Sequence, residues 1–424
     1  MAGLHGIKFV SKLANRNIMK TYFLPFVALL FMAMIPASNP ERIVDGNNRF
    51  AFKLFHAVND GVAGTNQVFS PFSVSTALAM VYAGARNETK TQMSRTMDFP
   101  TDDKFHGDYK KLLKDLDEGA ADKIKLNIAN GLWAQQDFPF LDPYFTLVRQ
   151  NYGSELKSVD FKDALTREQT RKEINLWVEE QTNDKIKGLL GTNDLDRFTR
   201  LVLVNAIYFY GDWANPFKKE STAPNEFYIS GETKIKTPFM NRAGSYPYYE
   251  DAKIQALEIP YKDNIASMII FLPNAKDGLP EFEKLFDFKY YSDILDSFQP
   301  TEVRLSLPKY KIDSRIGLGN TLSQMGMPLA FSPGSADFSG MTGARDLCIS
   351  KVIHQAFIEV DEKGTEAAAA TAVVMMCTSA RAPSDLKVFR ADHPFIFIIK
   401  DNSTGSILFI GKMMRPEISS QGIK

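Results

Sequence analysis

Apolar side chains recur at helical spacing close to the start of the chain. Phe50, Leu54, Phe55 and Val58 would lie on one face of a helix with 3.6 residues per turn. This spacing predicts a helix over roughly 47–60. The residues that follow Val58 break the pattern, so the sequence places the end of the helix there.

Two further helices are indicated by the pattern. Ser70-Pro71 supplies a capping hydroxyl and a first-turn proline just before the apolar stretch Val74 to Tyr82, and Gly84 ends that stretch. The stretch from Lys172 to Leu190 has the pattern of polar and apolar residues that an amphipathic helix shows.

Seven stretches are rich in β-branched and aromatic residues, which predicts strands. They are 125–135, 201–210, 254–260, 265–272, 301–312, 352–361 and 394–411. Helices and strands are mixed along the chain with few β-α-β alternations. The predicted fold class is therefore α+β, with large antiparallel sheets.

One segment near the carboxyl end can be interpreted in two ways. Residues 362–376 contain a glycine, four successive alanines and a β-branched stretch, which could form a surface helix followed by a loop. With a period of two, one strand face would carry only uncharged residues, and Glu366 would lie on the other face. These residues are Thr365, Ala367, Ala369, Thr371, Val373 and Met375. Because burying a charge is costly, such a segment could be an exposed loop and still enter between two strands.

The amino terminus has the composition of a targeting sequence. Residues 1–40 contain no acidic side chain, and the first acid is Glu41. Four basic residues precede an apolar run from Tyr22 to Ile35, which is shorter than the roughly 20 residues that a membrane span needs. A basic region, an apolar run and small residues are typical of a secretory signal peptide.

We therefore expect residues 1–38 to be a signal peptide that is cleaved near Ser38, with Met19 as a possible alternative start. A mitochondrial presequence is the alternative, which the continuous rather than amphipathic apolar run disfavours. Two acceptor triplets for N-glycosylation fit a secreted protein, at Asn87 and Asn402. The second lies in a stretch that reads as an exposed hairpin turn.

Composition excludes several classes of protein. The 424 residues include 50 basic and 50 acidic side chains, and removal of the leader leaves 46 against 50, a net charge of about −4. Such a chain lacks the basic surface of a nucleic-acid binder. Two cysteines cannot build a disulfide-rich scaffold, and 44% hydrophobic residues exclude a largely disordered chain. Length alone would suggest roughly two or three domains.

The search for catalytic chemistry gives no positive signal. The sequence contains five histidines, and no nucleophile elbow, zinc-protease motif, paired-cysteine motif or phosphate loop occurs. Neither a cofactor nor a metal is predicted, and an enzyme is disfavoured.

Four sequence features together resemble the serpin family over about residues 42–417. They are the small-residue segment after Glu362, the motif Phe389 to Ile399, the motif Asn205 to Trp213, and Phe69-Ser70-Pro71-Phe72-Ser73. Their order and the chain length match the family. This overrides the length argument, because serpins of this size are one domain, here expected over 39–424.

The resemblance implies a serpin fold with three β-sheets, about nine helices and an exposed reactive loop at about 363–392. It further implies a suicide inhibitor of serine proteases. The protease forms an ester with the loop, and the cleaved loop then inserts between the strands near 202–210 and 352–361. The partner would be held in a covalent 1:1 complex. The protein is expected to be a monomer with no nucleic-acid or membrane partner.

The resemblance also assigns site residues. The loop hinge would be Gly364, Thr365, Glu366, Ala367, Ala368, Ala369 and Ala370, with Gly364 giving backbone freedom. A buried polar group beneath the seam, the shutter cluster, would be Ser70, Ser73, Asn205 and His354. The first insertion point, the breach cluster, would be Trp213, Lys309 and Glu362. An ion pair of Lys309 with Glu362, if exposed, would contribute under about 1 kcal/mol.

Counting along the loop as the family does places the cleaved bond at Thr378-Ser379. Small residues there suggest an elastase-like, chymotrypsin-like or papain-like target. Arg381-Ala382 is the alternative and would attract a trypsin-like enzyme. Cys377 would be an exposed thiol next to this bond, and no disulfide with Cys348 is expected.

Two alternatives stay open. The protein could be a non-inhibitory serpin, such as a carrier or a chaperone, or it could also inhibit papain-like cysteine proteases.

Residues 102–125 mix lysines with acids, which is typical of a solvated helix face, so no strong heparin site is predicted.

Overall fold

The computed structural model describes most of the chain that follows the predicted signal peptide. The described residues are 39–60, 64–120, 124–154, 156–365 and 386–417. They fall within one compact unit, Ser38–Lys424. In these ranges the chain forms ten α-helices and fifteen strands, which confirms the α+β class.

The helices are α1 (Glu41–Asn59), α2 (Pro71–Tyr82), α3 (Asn87–Met97), α4 (Phe105–Ala120), α5 (Asp142–Tyr152), α6 (Ala164–Gln181), α7 (Leu279–Leu285), α8 (Phe288–Asp296), α9 (Gly319–Gln324) and α10 (Ser339–Thr342). The strands are β1 (Gln67–Phe69), β2 (Ile124–Gln135), β3 (Leu156–Val159), β4 (Leu201–Asp212), β5 (Ala223–Ser230), β6 (Thr233–Glu250), β7 (Ile254–Pro260), β8 (Ala266–Pro273), β9 (Gln299–Pro308), β10 (Tyr310–Gly317), β11 (Lys351–Val360), β12 (Gly364–Thr365), β13 (Lys387–Arg390), β14 (Phe395–Asp401) and β15 (Ile407–Met413).

The strands form two hydrogen-bonded networks. One is a six-stranded sheet in the order β10-β11-β12-β4-β2-β3, where β11 also pairs directly with β4. The other has nine strands in the order β1-β15-β14-β8-β7-β6-β9-β13, with β5 on β6. The long β6 pairs with β9 over most of its length but with β7 only from Tyr248 onward. Dividing the network at this point gives the three sheets that the resemblance implied.

Helix α2 lies between the two networks and is buried along its whole length. Its start matches the sequence prediction, because the Ser70 side chain accepts a hydrogen bond from the Ser73 amide and Pro71 occupies the first turn. The sheets also contact each other directly, as shown by the rings of Phe209 and Phe409, whose centroids lie 5.9 Å apart. On the opposite face of the six-stranded sheet, α6 covers a second apolar cluster that includes Trp133 and Tyr208.

Two predicted helices have different bounds in the structure. Helix α1 begins at Glu41 rather than near residue 47, because buried Ile43 and Val44 extend its apolar face towards the amino terminus. Helix α6 spans Ala164–Gln181 rather than 172–190. It ends at Gln181 because Asn183 and Asp184 both adopt positive φ angles, which a helix cannot continue through.

Two predicted strands are each divided in the structure. The stretch 301–312 changes sheets at Lys309, so that β9 belongs to the nine-stranded network and β10 to the six-stranded sheet. The stretch 394–411 is a hairpin of β14 and β15, with Gly405 at a φ of 76° in the turn. Pro308 and Lys309 divide the first stretch, and the polar residues 400–406, which were interpreted as a turn, divide the second.

Candidate insertion site in the six-stranded sheet

The centre of the six-stranded sheet is a parallel pair of strands. Strands β4 and β11 are paired from Val202 with Lys351 to Tyr208 with Phe357. Nearly all residues of both strands are buried, and their other neighbours in the sheet are β2, β10 and the two-residue strand β12. Separation of these two strands would create the one position in this sheet where a further strand could be added at its centre.

Beyond Phe357 the pair is already separated by the two residues of β12. Gly364 and Thr365 pair antiparallel with Asp212 and Gly211 of β4, and Thr365 also pairs with Val360 of β11. The first two hinge residues therefore lie inside the sheet in this structure. The hinge calls Glu366, Ala367, Ala368, Ala369 and Ala370 lie outside the described residues.

Gly364 is required for a reason that the sequence did not reveal. Its φ is not in the left-handed region in this structure, and the expected role in backbone freedom stays a prediction. A Cβ atom at this position would instead lie 2.0 Å from the carbonyl oxygen of Gly211. The absence of a side chain lets the loop strand lie directly against β4.

The chain enters β12 through a tight turn that Asp361 holds. The Asp361 carboxylate accepts hydrogen bonds from the amides of Lys363 and Gly364, and the Asp361 amide donates to the Gly364 carbonyl at 2.9 Å. Across the turn, the Trp213 amide donates to the Lys363 carbonyl at 2.8 Å. Asp361 was not among the predicted site residues.

Beneath the turn, the breach residue Trp213 stacks on Tyr261. The two rings are 15° from parallel with centroids 4.6 Å apart, and the indole N–H donates to the Asp361 carbonyl at 3.0 Å. The Tyr261 hydroxyl lies 2.7 Å from the Thr365 hydroxyl, and both residues are fully buried. Burial raises the pKa of Tyr261, so this hydroxyl stays neutral.

The other two breach residues form the predicted ion pair. The Lys309 ammonium lies 2.6 Å from the Glu362 carboxylate, which also accepts from the Thr222 hydroxyl at 2.9 Å. Burial raises the pKa of Glu362, but the hydrogen bonds from Lys309, a backbone amide and Thr222, together with the charge of Lys309, lower it, and the net shift is downward. The pair is not exposed, since the Glu362 side chain is only 7% accessible. The weak surface pair that the sequence allowed for is therefore not what the structure shows.

The four shutter residues meet below the β4–β11 seam and are all fully buried. His354 on β11 accepts a hydrogen bond from the Ser70 amide at its Nε2 atom, 3.0 Å away, and its Nδ1 atom contacts the Asn205 Oδ1 atom of β4. The Asn205 amide donates in turn to the Ser73 hydroxyl. One imidazole therefore links β11 with β4 and with the amide of Ser70.

The network includes a fifth residue, Asn130 of β2. Its side-chain oxygen accepts hydrogen bonds from the Ser73 hydroxyl at 3.3 Å and from the Asn205 amide. Nothing in the sequence distinguished this asparagine, because its partners lie 57 and 75 residues away.

Burial lowers the pKa of His354 to about 3, so the imidazole is neutral at physiological pH.

Several predicted residues lie outside the described ranges. They are Cys377 and the residues of the two candidate bonds, Thr378, Ser379, Arg381 and Ala382. Cys348 is buried, and burial raises the pKa of its thiol.

The amides of both candidate glycosylation sites form hydrogen bonds in the fold. Asn87 donates to the Asp337 carboxylate at 2.7 Å, and Asn402 donates to the Ser267 hydroxyl at 2.8 Å. On α4, ion pairs such as Lys111 with Asp115 balance the lysines of the 102–125 region.

Two features together define the class of protein. The first residues of the loop already form a short strand at the centre of the six-stranded sheet, and a buried network of polar side chains lies beneath them. The model of the family described as Serpin (serine protease inhibitor) matches residues 45–416. A leukocyte elastase inhibitor of Xenopus laevis is 40% identical over 383 residues, which are 89% of this chain and 100% of the relative. The leukocyte elastase inhibitor of Homo sapiens is 38% identical over 384 residues, with the same coverage of each chain.

Solved structures give the same result. Uncleaved ovalbumin superimposes with a TM-score of 0.81 at 31% identity, covering 88% of this chain and 100% of the other. Human thyroxine-binding globulin complexed with its hormone has a TM-score of 0.81 at 30% identity, covering 89% and 100%. The chain belongs to the serpin family, and its closely similar relatives are named as inhibitors of a protease rather than as enzymes.

Two further observations concern the described ranges only. There, no group of three or more histidine, cysteine, aspartate or glutamate side chains could hold a metal ion. Among the same residues, no helix is both long enough and apolar enough to cross a membrane.

Proposed function

We propose that this chain is a secreted suicide inhibitor of serine proteases. The observation that carries the proposal is the begun insertion of Gly364 and Thr365 between β4 and β11, with an uncharged, fully buried side chain at the second position. A loop that enters the sheet after cleavage extends a pairing that is already present, so no new nucleus is needed. The names of the relatives support protease inhibition.

The proposed chemistry begins as ordinary proteolysis. The serine oxygen of the protease attacks the carbonyl carbon of Thr378, the bond to the Ser379 nitrogen breaks, and that nitrogen leaves with a proton. The protease is then held as an ester on Thr378. Insertion of the loop beyond Thr365 carries the ester along the sheet before water can hydrolyse it.

Thr378-Ser379 is the proposed bond because small residues suit an elastase-like enzyme, and leukocyte elastase is the enzyme named for the relatives. Arg381-Ala382 is the alternative, with a trypsin-like enzyme as the target. Papain-like cysteine proteases remain a second class of target, since they too form an ester-like intermediate, a thioester, on a loop residue.

We propose secretion from the leader composition, because residues 1–38 carry four basic and no acidic side chains before the apolar run. The family match begins at residue 45, and residues 1–38 lie outside it. Expression of the full chain in secretory cells, followed by amino-terminal sequencing, tests this. A secreted product starting near Ser38 supports it, and a retained, uncut chain contradicts it.

The inhibitor is tested by mixing it with elastase, chymotrypsin, trypsin and papain and looking for a complex that survives SDS. Strands β13, β14 and β15 follow the candidate bonds and lie in the nine-stranded network, so the cut fragment stays bound until it is denatured. Its mass then identifies the bond, because it begins at Ser379 or at Ala382. Thr365→Arg is the negative control, since it would place a charge at a buried position and leave cleavage without a complex.

The second candidate function is a small-molecule carrier, which the likeness to a thyroxine-bound globulin favours. A carrier would be cut in the loop without forming the SDS-stable complex. Its stability to heat would also not increase after cleavage.

A further inference from the structure

A buried carboxylate holds the amino-terminal end of the described chain. Asp108, in the first turn of α4, is only 2% exposed. Its Oδ1 atom accepts a hydrogen bond from the backbone nitrogen of Asn39 at 2.9 Å. Asn39 is the first described residue and directly follows the predicted signal peptide. The nitrogen that becomes the amino terminus when residues 1–38 are removed therefore already contacts a carboxylate.

The start of α1 fixes the position of this nitrogen. Pro40 follows Asn39 with a φ of −67°, and the Pro40 carbonyl accepts a hydrogen bond from the Ile43 amide at 2.9 Å. A proline ring fixes its own φ and restricts the residue before it to extended backbone. We therefore expect the nitrogen to keep its position when no residue precedes Asn39.

The charges next to Asn39 are unbalanced in a chain that still carries its leader. The Arg42 guanidinium is shared between two carboxylates, since it donates to Asp108 at 2.7 Å and to Asp102 at 2.8 Å. Lys104 adds a charge near Asp102, and its side chain is exposed. The backbone amide of Asn39 brings a hydrogen bond to Asp108 but no charge.

Asp108 thus shares its one described cationic partner, Arg42, with a second carboxylate. The hydrogen bonds from Arg42 lower the pKa of Asp102 to about 2, so Asp102 is charged in the folded protein. A buried carboxylate is costly unless it is both hydrogen-bonded and paired with a cation. A second cation at the Asn39 nitrogen would give the two carboxylates two cations in direct contact. A free amino terminus carries that charge.

We propose that the leader is cut between Ser38 and Asn39 and that the new α-ammonium group forms an ion pair with Asp108. A signal peptidase accepts a small residue such as Ser38 before the cut. Water adds its hydroxyl to the Ser38 carbonyl carbon, the bond to the Asn39 nitrogen breaks, and that nitrogen takes the hydrogen. The amine then takes up the proton that the new Ser38 carboxyl group releases. This inference rests on the proposed secretion.

The ion pair joins α1 to α4 in the processed protein. An ammonium group at the start of a helix is unfavourable by itself, because that end of the helix carries a partial positive charge. Glu41 in the first turn of α1 and Asp108 on α4 offset this effect. A charge-assisted hydrogen bond replaces a neutral one, so removal of the leader strengthens the contact between the two helices.

The position of the cut is tested by amino-terminal sequencing of the product that is secreted from cells expressing the full chain. We expect Asn39 as the first residue. A product that begins at another residue overturns this cut and leaves secretion standing, whereas a retained and uncut chain contradicts both. The SDS-stable complex is measured separately, so the proposed inhibition is judged independently.

The ion pair is tested on the secreted protein by reductive methylation with formaldehyde and mass spectrometry of the amino-terminal peptide. Since the neutral amine reacts, the midpoint of the pH dependence of the rate gives the pKa of the amine. We expect it about one unit or more above the ordinary 7.7–8.0, which slows labelling about tenfold at neutral pH. Asp108→Asn should restore the ordinary midpoint. Asp103→Asn, at an exposed acid just before α4, is the matched control and should not change it.

A further variant should move the same midpoint in the opposite direction. Arg42→Gln removes the cation that competes for Asp108 and Asp102, so the pKa of the amine should rise further. A merely structural role of these side chains predicts no such opposed shifts. Equal midpoints in Asp108→Asn and the unaltered protein overturn the ion pair, and so does a lower midpoint in Arg42→Gln.

The effect on stability is measured with a glycine inserted between Ser38 and Asn39, which moves the ammonium group one residue away from Asp108. At pH 7 this product should unfold in urea at least about threefold faster than the unaltered one. Because the folded pKa of the amine is raised, its stabilisation is present below the unfolded value of about 8 and is lost as the pH rises through the folded value. The two rates should therefore converge at about pH 10. Equal rates at pH 7 overturn the stabilising role of the new amino terminus.

Discussion

The hydroxyl groups of Tyr261 and Thr365 lie 2.7 Å apart in a position that water does not reach. Tyr261 directly follows β7 of the nine-stranded network and forms an isolated bridge with Trp213, whereas Thr365 is the second loop residue in the six-stranded sheet. The hydroxyl contact therefore ties the start of the loop to the end of β7.

Replacing Tyr261 by phenylalanine should loosen the hinge. The change leaves the Thr365 hydroxyl buried without its partner, which costs about 1–3 kcal/mol. We expect faster hydrogen exchange at the amides of Gly364 and Thr365, measured by mass spectrometry of peptides from this region. Tyr144→Phe is the matched control, because that buried hydroxyl donates to the Met80 carbonyl, away from the loop. Unchanged exchange in Tyr261→Phe would show that the hydroxyl pair does not hold the hinge.

Replacing Gly364 by alanine should block the pairing of β12 with β4, since the new Cβ atom would lie 2.0 Å from the Gly211 carbonyl oxygen. We expect the number of inhibitor molecules consumed per protease to rise severalfold, because slower insertion leaves more time for hydrolysis of the ester. Titration of a fixed amount of protease measures this number. Gly317→Ala in β10 of the same sheet has open space around the new methyl group and should behave as the unaltered protein does. Equal values for the two variants would contradict this role of Gly364.

How far the sequence could predict these features depends on whether the signal is local. Helix α2 was predictable because its cap and first-turn proline are adjacent in sequence, at Ser70 and Pro71. The hydroxyl pair was not, since its residues are 104 positions apart and Tyr261 stands in no motif. The change of sheet at Lys309 was not predictable either, because Pro308 and Lys309 interrupt the apolar pattern without showing that the next strand takes a different partner.

The resemblance to a family supplied what periodicity could not. It brought Ser70, Ser73, Asn205 and His354 together, and the structure places all four in one buried network. It did not supply Asn130, whose role follows only from the pairing of β2 with β4. A polar residue on a strand gives no sign of which distant side chains it will meet.

Replacing Lys309 by methionine should destabilise the protein at neutral pH, and the difference in stability from the unaltered protein should shrink in acid. Because the folded pKa of Glu362 lies below its ordinary value of 4.5, its contribution to stability is present above about pH 4.5 and is lost as the pH falls through the folded pKa. Without Lys309 the folded pKa rises, and at neutral pH about 1–3 kcal/mol of stability is lost. Rates of unfolding in urea between pH 3.5 and 7 measure both effects. The exposed pair of Lys289 with Asp293 is the control, and Lys289→Met should leave the unfolding rates nearly unchanged at each pH.

Acid should also open the seam through His354. Its folded pKa of about 3 lies below the ordinary 6.5, so the unfolded chain binds the extra proton first and stability falls as the pH drops from about 6.5 towards 3. Protonation at Nε2 would place a hydrogen against the Ser70 amide, which now donates to that atom. In His354→Gln the side chain does not titrate, so unfolding in urea should depend less steeply on pH between 4 and 6.5.

His106→Gln serves as the comparison, because burial lowers the pKa of His106 to about 4 on helix α4, away from the seam. That variant should also flatten the profile of unfolding but leave the pH dependence of complex formation unchanged. If His354→Gln and the unaltered protein lose inhibition equally between pH 7 and 5, the imidazole does not control the seam.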